Sequence, residues 1–513
     1  MPDGLAQSIA GWYSARRRWQ KALIVAGFGA FAALGQAPFD FPVALLIGFI
    51  AAFALFPLAD TPKRAAFFGL AFGSGYFALT LMWIVEPFFV DAPRYGWMAP
   101  FALVFLSVGL ALFWGLAFGI ARWFGHGAGV SAVILAVTLT AAEVIRAYIF
   151  TGFPWGMPAQ ALVNGIMGQG AAWVGPHGLN LLLFAGVAAV AQIGPKIAKI
   201  IAFAALVAVV LWPLPENTQP AQQDGRIIRM IQPNAPQDEK WDPLRIPVFY
   251  QRQITLTAAA PIADAPRPDL VIWSETALPT LLQYAEKPLR EIAQAAGGAP
   301  VVLGLQRLDG RRIYNSLVVV TPEGQVSDQY DKHHLVPFGE YLPMGKFLAR
   351  FGLRGLAASD GSGFSAGEGP ALVDVPGFGR AMPLICYEAV FPQDVNNAPE
   401  RPDFLMQITN DAWFGEFSGP YQHLAIARMR AIEQGLPMVR VANTGVSAMI
   451  DARGRITASI ALGTSGFVDA VLPPALAATL YSRTKDWAII VLLIVVLGAL
   501  RLNARFTRMT NRD

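Results

Sequence analysis

Cys386 is the one cysteine in 513 residues, and it stands where the apolar run Pro383-Leu384-Ile385 breaks into Tyr387-Glu388. A lone thiol cannot form an intrachain disulfide, so its uses narrow to inert core filler or reactive nucleophile. Two other ionisable side chains end or follow apolar runs. Glu275 comes after Leu270-Val271-Ile272-Trp273-Ser274, and Lys332 lies within Tyr330-Asp331-Lys332-His333-His334. A carboxylate held close to a thiol can take its proton, while an ammonium stabilises both the thiolate and a developing oxyanion. The three together would make a centre for covalent acyl chemistry. Taken singly, each keeps a structural alternative: packed thiol for Cys386, surface ion pair for Glu275, solvated charge for Lys332.

Rival patterns are weaker. Gly363-Phe364-Ser365-Ala366-Gly367 matches the G-x-S-x-G turn of serine hydrolases, but that turn needs a strand before it and a helix after it. Here Ala357-Ala358-Ser359-Asp360-Gly361-Ser362 precedes and Glu368-Gly369-Pro370 follows. No lysine follows these glycines in the place a phosphate loop requires. His333 and His334 suggest a metal or a Cys-His pair, yet neighbours in an extended segment point to opposite faces and are not expected to share an ion. Five histidines and one cysteine form no zinc spacing. No metal and no cofactor are expected.

Residues so far apart in sequence can meet only if strand ends converge, as they do at the sites of layered α/β domains. From 225 to 481 the composition is that of a soluble domain, with apolar runs at 227–231, 270–273, 301–305, 317–320, 371–375, 381–385, 404–408, 438–441 and 448–450. Pro322-Glu323-Gly324, Pro376-Gly377-Phe378-Gly379 and Ala452-Arg453-Gly454 read as hairpin turns. Helical patterns at 243–257 and 423–434 lie between other runs, so a layered domain with mixed sheets is expected. The Gly-, Ser- and Ala-rich stretch 352–369 reads as a mobile loop beside the site.

The remaining chain is of a different kind. Overall 54% of residues are hydrophobic and 14% charged, with mean hydropathy +0.44, and the apolar residues cluster into runs suited to a bilayer. Candidate spans are 22–37, 43–58, 65–85, 98–121, 128–145, 179–193, 197–211 and 487–500. With the N-terminus inside, the inner segments carry Arg16, Arg17, Arg18, Lys21, Lys63, Arg64, Arg122, Lys196, Lys199, Arg501, Arg505, Arg508 and Arg512, and the short outer loops only Arg94 and Arg146. That asymmetry supports seven spans, a large outer segment and an eighth returning span, although Arg483 and Lys485 run against it. The first run is followed by further spans without a small-residue cleavage site, so it is not expected to be a removed signal peptide. The pI near 9.1 then reflects topology, and nucleic acid is not an expected partner. Glu143 and Arg146, three apart on one helical face, are expected to pair, and Trp83, Trp97, Trp123, Trp155 and Trp173 read as interface anchors.

Trp273-Ser274-Glu275-Thr276-Ala277, the run from Tyr330-Asp331-Lys332 to Gly339-Glu340-Tyr341-Leu342-Pro343, and Ile385-Cys386-Tyr387-Glu388 resemble the motifs of the nitrilase, or carbon-nitrogen hydrolase, superfamily. With seven spans before the domain and one after it, the whole chain resembles the membrane-embedded apolipoprotein N-acyltransferase family. Gln232-Pro233-Asn234, Trp241, Asn410-Asp411-Ala412-Trp413-Phe414-Gly415, Arg430-Ala431-Ile432-Glu433 and Asn443-Thr444-Gly445 extend the match. The resemblance implies a polytopic helical membrane protein with an inserted α-β-β-α sandwich. Its parts would be 1–224 with seven transmembrane helices, 225–481 as a periplasmic catalytic domain, and 482–513 as a last helix and tail. It further implies a Glu275, Lys332, Cys386 triad, Glu340 beside it, and Tyr387, Glu388 and Trp241 around the pocket. The implied reaction takes an acyl chain from a phospholipid, phosphatidylethanolamine, through a Cys386 thioester to the α-amino group of a diacylglyceryl apolipoprotein. A monomer in the bacterial inner membrane is expected. The alternatives are a membrane-anchored amidase and a non-catalytic lipid-binding or transport protein.

Overall fold

All eight expected spans coincide with helices. In the computed structural model, which describes residues 11–125, 128–215, 225–261, 266–343 and 363–510, they are α1 (Arg18–Ala33), α2 (Pro42–Leu55), α3 (Pro62–Thr80), α4 (Ala99–Phe124), α5 (Ala128–Tyr148), α6 (Ala171–Gln192), α7 (Lys196–Leu211) and the C-terminal helix Trp487–Thr510. Among the described residues three helical stretches are long and apolar enough to cross a membrane: Ala92–Phe124, Ser131–Tyr148 and Ile166–Gln192. A fourth arises if α3 and the following Met82–Phe89, bent by 48°, count as one span. α1, α2 and α7 are short: the 16 residues of α1 reach only ~24 Å, less than the ~30 Å of a hydrocarbon core.

The chain divides into two compact units, one of Met1–Val85, Trp97–Pro215 and Leu480–Asp513, the other of Glu86–Gly96 and Glu216–Thr479. In the first unit small residues set the helix spacing. A Cβ on Gly29 of α1 would come within 2.0 Å of the Phe72 carbonyl oxygen of α3, so only glycine lets these helices pack so closely. The C-terminal helix joins this unit, with Ile489 and Leu493 packed on Val137 of α5. Trp97, Trp123 and Trp173 are exposed, but Trp83 and Trp155 are buried against each other with ring centroids 4.5 Å apart. Those two are core residues, a correction that position near a span end could not supply.

The second unit contains two six-stranded sheets. The first has the order β12-β1-β2-β3-β4-β5, built from β1 (Ile227–Gln232), β2 (Leu270–Ile272), β3 (Val301–Asp309), β4 (Arg312–Val320), β5 (Val326–Asp331) and β12 (Gly466–Val471). The second runs β11-β10-β9-β8-β7-β6, from β6 (Val373–Val375), β7 (Gly379–Ile385), β8 (Phe404–Thr409), β9 (Met438–Ala442), β10 (Ser447–Ile450) and β11 (Ile456–Ile460). The central parallel strands β2 and β8 are buried throughout, which is why they read as apolar runs, broken in β8 only by Gln407 before the terminal Thr409. Edge strands β5, β11 and β12 leave most residues partly exposed and carried no such run.

Helices α8 (Ile246–Ala258) and α9 (Glu286–Ala296) cover the first sheet, and α10 (Gly419–Gln434) covers the second. Helix α9 buries Leu289, Ile292, Ala293 and Ala296, the i, i+3, i+4, i+7 spacing of an amphipathic helix. The sheets are stitched by Gln232 of β1, whose Oε1 accepts from the backbone and hydroxyl of Ser447 on β10 at 3.1 and 2.6 Å. The unit is therefore a mixed α/β layered domain, as the runs and turns implied.

Candidate active site

Glu275, Lys332 and Cys386 each leave the C-terminal end of a strand. β2 ends at Ile272, and the chain then turns back on itself through Glu275 and Thr276, the latter at φ +43. A Cβ at Gly304 on β3 would lie 2.5 Å from the Thr276 nitrogen, so glycine there lets this turn pack close. Glu275 Oε1 accepts from Asn315 Nδ2 of β4 at 2.6 Å, and Oε2 accepts from the backbone N–H of Asn410 at 2.7 Å. Lys332 directly follows β5 and donates its backbone N–H to the Asn315 carbonyl at 2.9 Å. Its Nζ lies 2.9 Å from Glu340 Oε1 and 3.8 Å from Glu275 Oε1. The Val336 N–H fixes the other oxygen of Glu340 at 2.8 Å. Cys386 follows β7, takes φ +53, and opens the 3-10 turn Cys386–Val390 with its thiol in electrostatic range of Glu275 and Lys332.

Burial dominates the electrostatics. Desolvation, and then the Glu275 carboxylate, push the Cys386 thiol far above its ordinary value, with Lys332 pulling the other way. Burial also raises the Glu275 carboxyl, opposed first by Lys332. For Lys332 burial disfavours the ammonium, but Glu340 and then Glu275 outweigh it and hold the lysine well above its usual range. The resting site thus holds a neutral thiol in electrostatic range of Glu275 and of a lysine ammonium that two carboxyl groups favour, suited to proton transfer during attack.

Glu388 is fully buried and ties two of these segments together. Its carboxylate accepts from Ile385 N at 2.7 Å, His333 N at 2.8 Å and the Tyr330 hydroxyl at 2.8 Å, joining the Lys332 strand end to the Cys386 turn. Tyr387 is buried edge-on against Phe391 and His334. Trp241 is 43% exposed, with the Lys240 ammonium 5.6 Å over its ring. The cavity beside it has about 20 Å³, room for one water and not for an acyl chain.

One expectation needs correction and one falls partly outside the described residues. β5 ends at Asp331, so His333 and His334 are not in an extended strand, and both face Asp394: His334 Nδ1 lies 2.8 Å and His333 Nε2 3.5 Å from Oδ2. By position these three could hold a metal ion. Hydrogen bonds and ion pairs already engage them, and despite burial the bonds from His333 to Asp394 and Glu388 raise its imidazole to about 10. Of the loop 352–369, only 363–369 lies within the described residues. There Phe364 N donates to the Glu340 carbonyl and Gly367 N to that of Lys332, both at 2.9 Å, and no helix follows Ser365 before β6. The G-x-S-x-G run thus lacks the helix its serine chemistry requires.

Lys240 and Asn315 were missed. Lys240 Nζ donates to the Glu275 carbonyl at 3.2 Å and the Thr276 hydroxyl at 2.9 Å, and burial lowers it to about 8 against the pull of Glu275 and Cys386. Its one signal was its place beside Trp241. Asn315 sits inside an apolar strand pattern, where a lone polar residue at a buried position was the available clue.

Residues 234–481 match the carbon-nitrogen hydrolase family, and residues 28–190 match the apolipoprotein N-acyltransferase N-terminal domain. An apolipoprotein N-acyltransferase from Rhodopseudomonas palustris is 37% identical over 97% of this chain and 98% of its own length. One from Brucella melitensis is 36% identical over 96% and 97%. Among solved structures, a CN-hydrolase superfamily protein from Xanthomonas campestris is 22% identical, covering 52% of this chain and 96% of its own with a TM-score of 0.35. Likeness on this scale, through both the helical and the sandwich segments, means that the chain belongs to the apolipoprotein N-acyltransferase family.

Proposed function

We propose that this enzyme N-acylates apolipoproteins in two steps through a thioester on Cys386. The observation that carries the reading is the convergence of three strand ends on a buried thiol, a carboxylate and an ammonium, with Lys332 3.8 Å from Glu275. In the first step Glu275 takes the thiol proton as sulfur attacks an acyl ester of a phospholipid, phosphatidylethanolamine. Lys332, joined by the backbone N–H of Tyr387, stabilises the oxyanion, and collapse expels lysophospholipid, which takes the proton from Glu275. In the second step the α-amino group of a diacylglyceryl-cysteine attacks the thioester. Glu275 receives the amine proton and returns it to the departing Cys386 sulfur, leaving an amide and the free thiol.

Glu340 keeps Lys332 charged and placed, Glu388 holds the two reactive segments in register, and Tyr387 and Trp241 contribute to the pocket walls. The membrane assignment rests on the lysine and arginine asymmetry and on a helix at each apolar run. We place eight crossing helices in the bacterial inner membrane, with 1–224 and 482–513 as membrane parts, 225–481 as a periplasmic catalytic domain, and a monomer as the working unit. Embedding makes physical sense for two lipid substrates, because exposing a tail to water costs about 0.8 kcal/mol per methylene.

The test is transfer from labelled phosphatidylethanolamine to a synthetic diacylglyceryl peptide by purified protein in detergent. An N-acylated peptide formed by the wild type and absent with Cys386→Ala is expected. Acyl release as free fatty acid at the same rate with or without peptide would instead indicate a hydrolase.

A further inference from the structure

Beneath Cys386 lies a fully buried polar set that the mechanism above leaves unused: Gln407 on β8, Asp411 just after that strand, His423 on α10 and Arg440 on β9. Gln407 Nε2 donates to the Cys386 carbonyl oxygen at 3.1 Å and lies 3.0 Å from His423 Nε2. Gln407 Oε1 accepts from Arg440 Nη1 at 2.5 Å. Asp411 faces His423 Nδ1 at 2.9 Å, accepts from Thr409 Oγ1 at 2.8 Å, and accepts from Arg440 Nη2.

These contacts determine where the protons are. Burial alone would raise the Asp411 carboxyl, but the Arg440 charge, with hydrogen bonds from His423 and Thr409, outweighs it and holds it at about 2, so it is a carboxylate. His423 Nδ1 faces that carboxylate at 2.9 Å and so carries the ring hydrogen, while burial and then Arg440 keep the imidazole below its ordinary value. Nε2 then accepts from Gln407, and its 3.2 Å approach to the Cys386 carbonyl oxygen is a contact between two acceptors that only the Gln407 N–H groups can bridge. Gln407 therefore spends one N–H on His423 and the other on the Cys386 carbonyl. Its amide cannot flip, because that would set NH₂ against a guanidinium and oxygen against a carbonyl.

Cys386 needs such a hold. At φ +53 it occupies a region that residues with a Cβ rarely adopt and that persists only where the surroundings over-determine it. We propose that Gln407 is the positioning residue that pins the Cys386 backbone in this conformation and aims its thiol, and that Asp411, His423 and Arg440 act by fixing the Gln407 amide. This rests on Cys386 being the nucleophile.

The test uses full-length protein in detergent with phosphatidylethanolamine, measuring the single-turnover rate of Cys386 acylation by mass spectrometry alongside donor KM. Rates are normalised to the fraction of Cys386 open to alkylation. Gln407→Glu keeps the shape and the Arg440 contact but loses the donor to the carbonyl, and should slow acylation about 100-fold with donor KM within about twofold. His423→Gln can still accept from Gln407 near the Nε2 position, whereas His423→Asn cannot; losses of about threefold and about thirtyfold are expected. That ordering, measured per folded molecule because asparagine is also the poorer helix former, decides the matter if Gln407→Glu does not fold. Wild-type acylation with an undiminished rate in Gln407→Glu, or equal losses in the two His423 variants, would overturn the inference. A wild type that forms no acyl-enzyme would overturn the nucleophile assignment itself.

Discussion

Glu143 with Arg146 in the helical unit and Glu275 with Lys332 in the sandwich are both buried carboxylate–cation pairs, but their partners differ. Arg146 meets Glu143 through two contacts, Nε to Oε1 at 3.1 Å and Nη2 to Oε2 at 2.5 Å. Its remaining nitrogen donates to the carbonyls of Phe153 and, at 2.9 Å, Trp155, while Trp114 Nε1 donates to Glu143 at 2.8 Å. One charge is matched by one charge, and arginine does not give up its proton. Lys332 instead sits between two carboxylates, nearer to Glu340 than to Glu275, with a thiol in range. Glu340 satisfies the lysine, which leaves Glu275 as a base that can accept a proton without losing its place. Burial is common to both clusters; the excess carboxylate and the neighbouring thiol make only one of them reactive.

The largest effect should come from removing that excess base. Glu275→Gln can keep the hydrogen bond from Asn315 but sets its NH₂ against the Asn410 N–H and cannot take the thiol proton, and should lower Cys386 acylation by about 10³-fold or more per folded molecule. A variant retaining a tenth of the wild-type rate would mean the base is elsewhere. The opposite pattern is expected for Arg146→Ala, which strands a buried carboxylate and should destabilise the protein by about 3–5 kcal/mol. Per folded molecule, its acylation rate should match the wild type, as read by thermal unfolding together with single-turnover kinetics. A rate loss in correctly folded Arg146→Ala would break the division into structural and reactive pairs.

A smaller effect sharpens the reactive side. The Glu275 carboxyl lies above the ordinary glutamate value because burial outweighs Lys332, and activity needs its charged form, so acylation should fall as pH drops through that raised value. Asn315 bonds the charged form. Asn315→Ala should therefore raise the carboxyl further and move the acid limb of the rate profile to higher pH, whereas a limb displaced to lower pH would contradict this account. The alkaline side should be insensitive to Lys332, which the two carboxylates hold well above its usual range. Smallest of all, Trp241→Ala should change a substrate KM by about fivefold, the worth of roughly 1 kcal/mol of apolar contact, and leave the acylation rate constant unaltered.

Sequence revealed these two clusters unevenly. The i, i+3 spacing of Glu143 and Arg146 is local, so the pair could be read directly. Cys386 and Glu275 were visible because they follow apolar runs, but their meeting depends on the pairing of β7 with β8 and of β2 with β3, which spacing does not encode. Lys332 follows an edge strand with three of six residues exposed, and only its motif marked it. Lys240 was marked only by its place beside Trp241, and Asn315 and Gln407 only as polar residues within strand runs, which says nothing of what they bind. Their roles come from backbone carbonyls and amides that only the folded turn presents. The same limit explains His333 and His334, whose facing sides changed once β5 ended one residue before Lys332.

The most direct measurement is peptide mass spectrometry of detergent-purified protein after incubation with phosphatidylethanolamine and no acceptor. An acyl mass on the Cys386 peptide is predicted, labile to hydroxylamine, absent in Glu275→Gln on the same time scale, and discharged when a diacylglyceryl peptide is added. An unmodified Cys386 in wild-type protein that nevertheless transfers acyl groups would contradict the thioester mechanism.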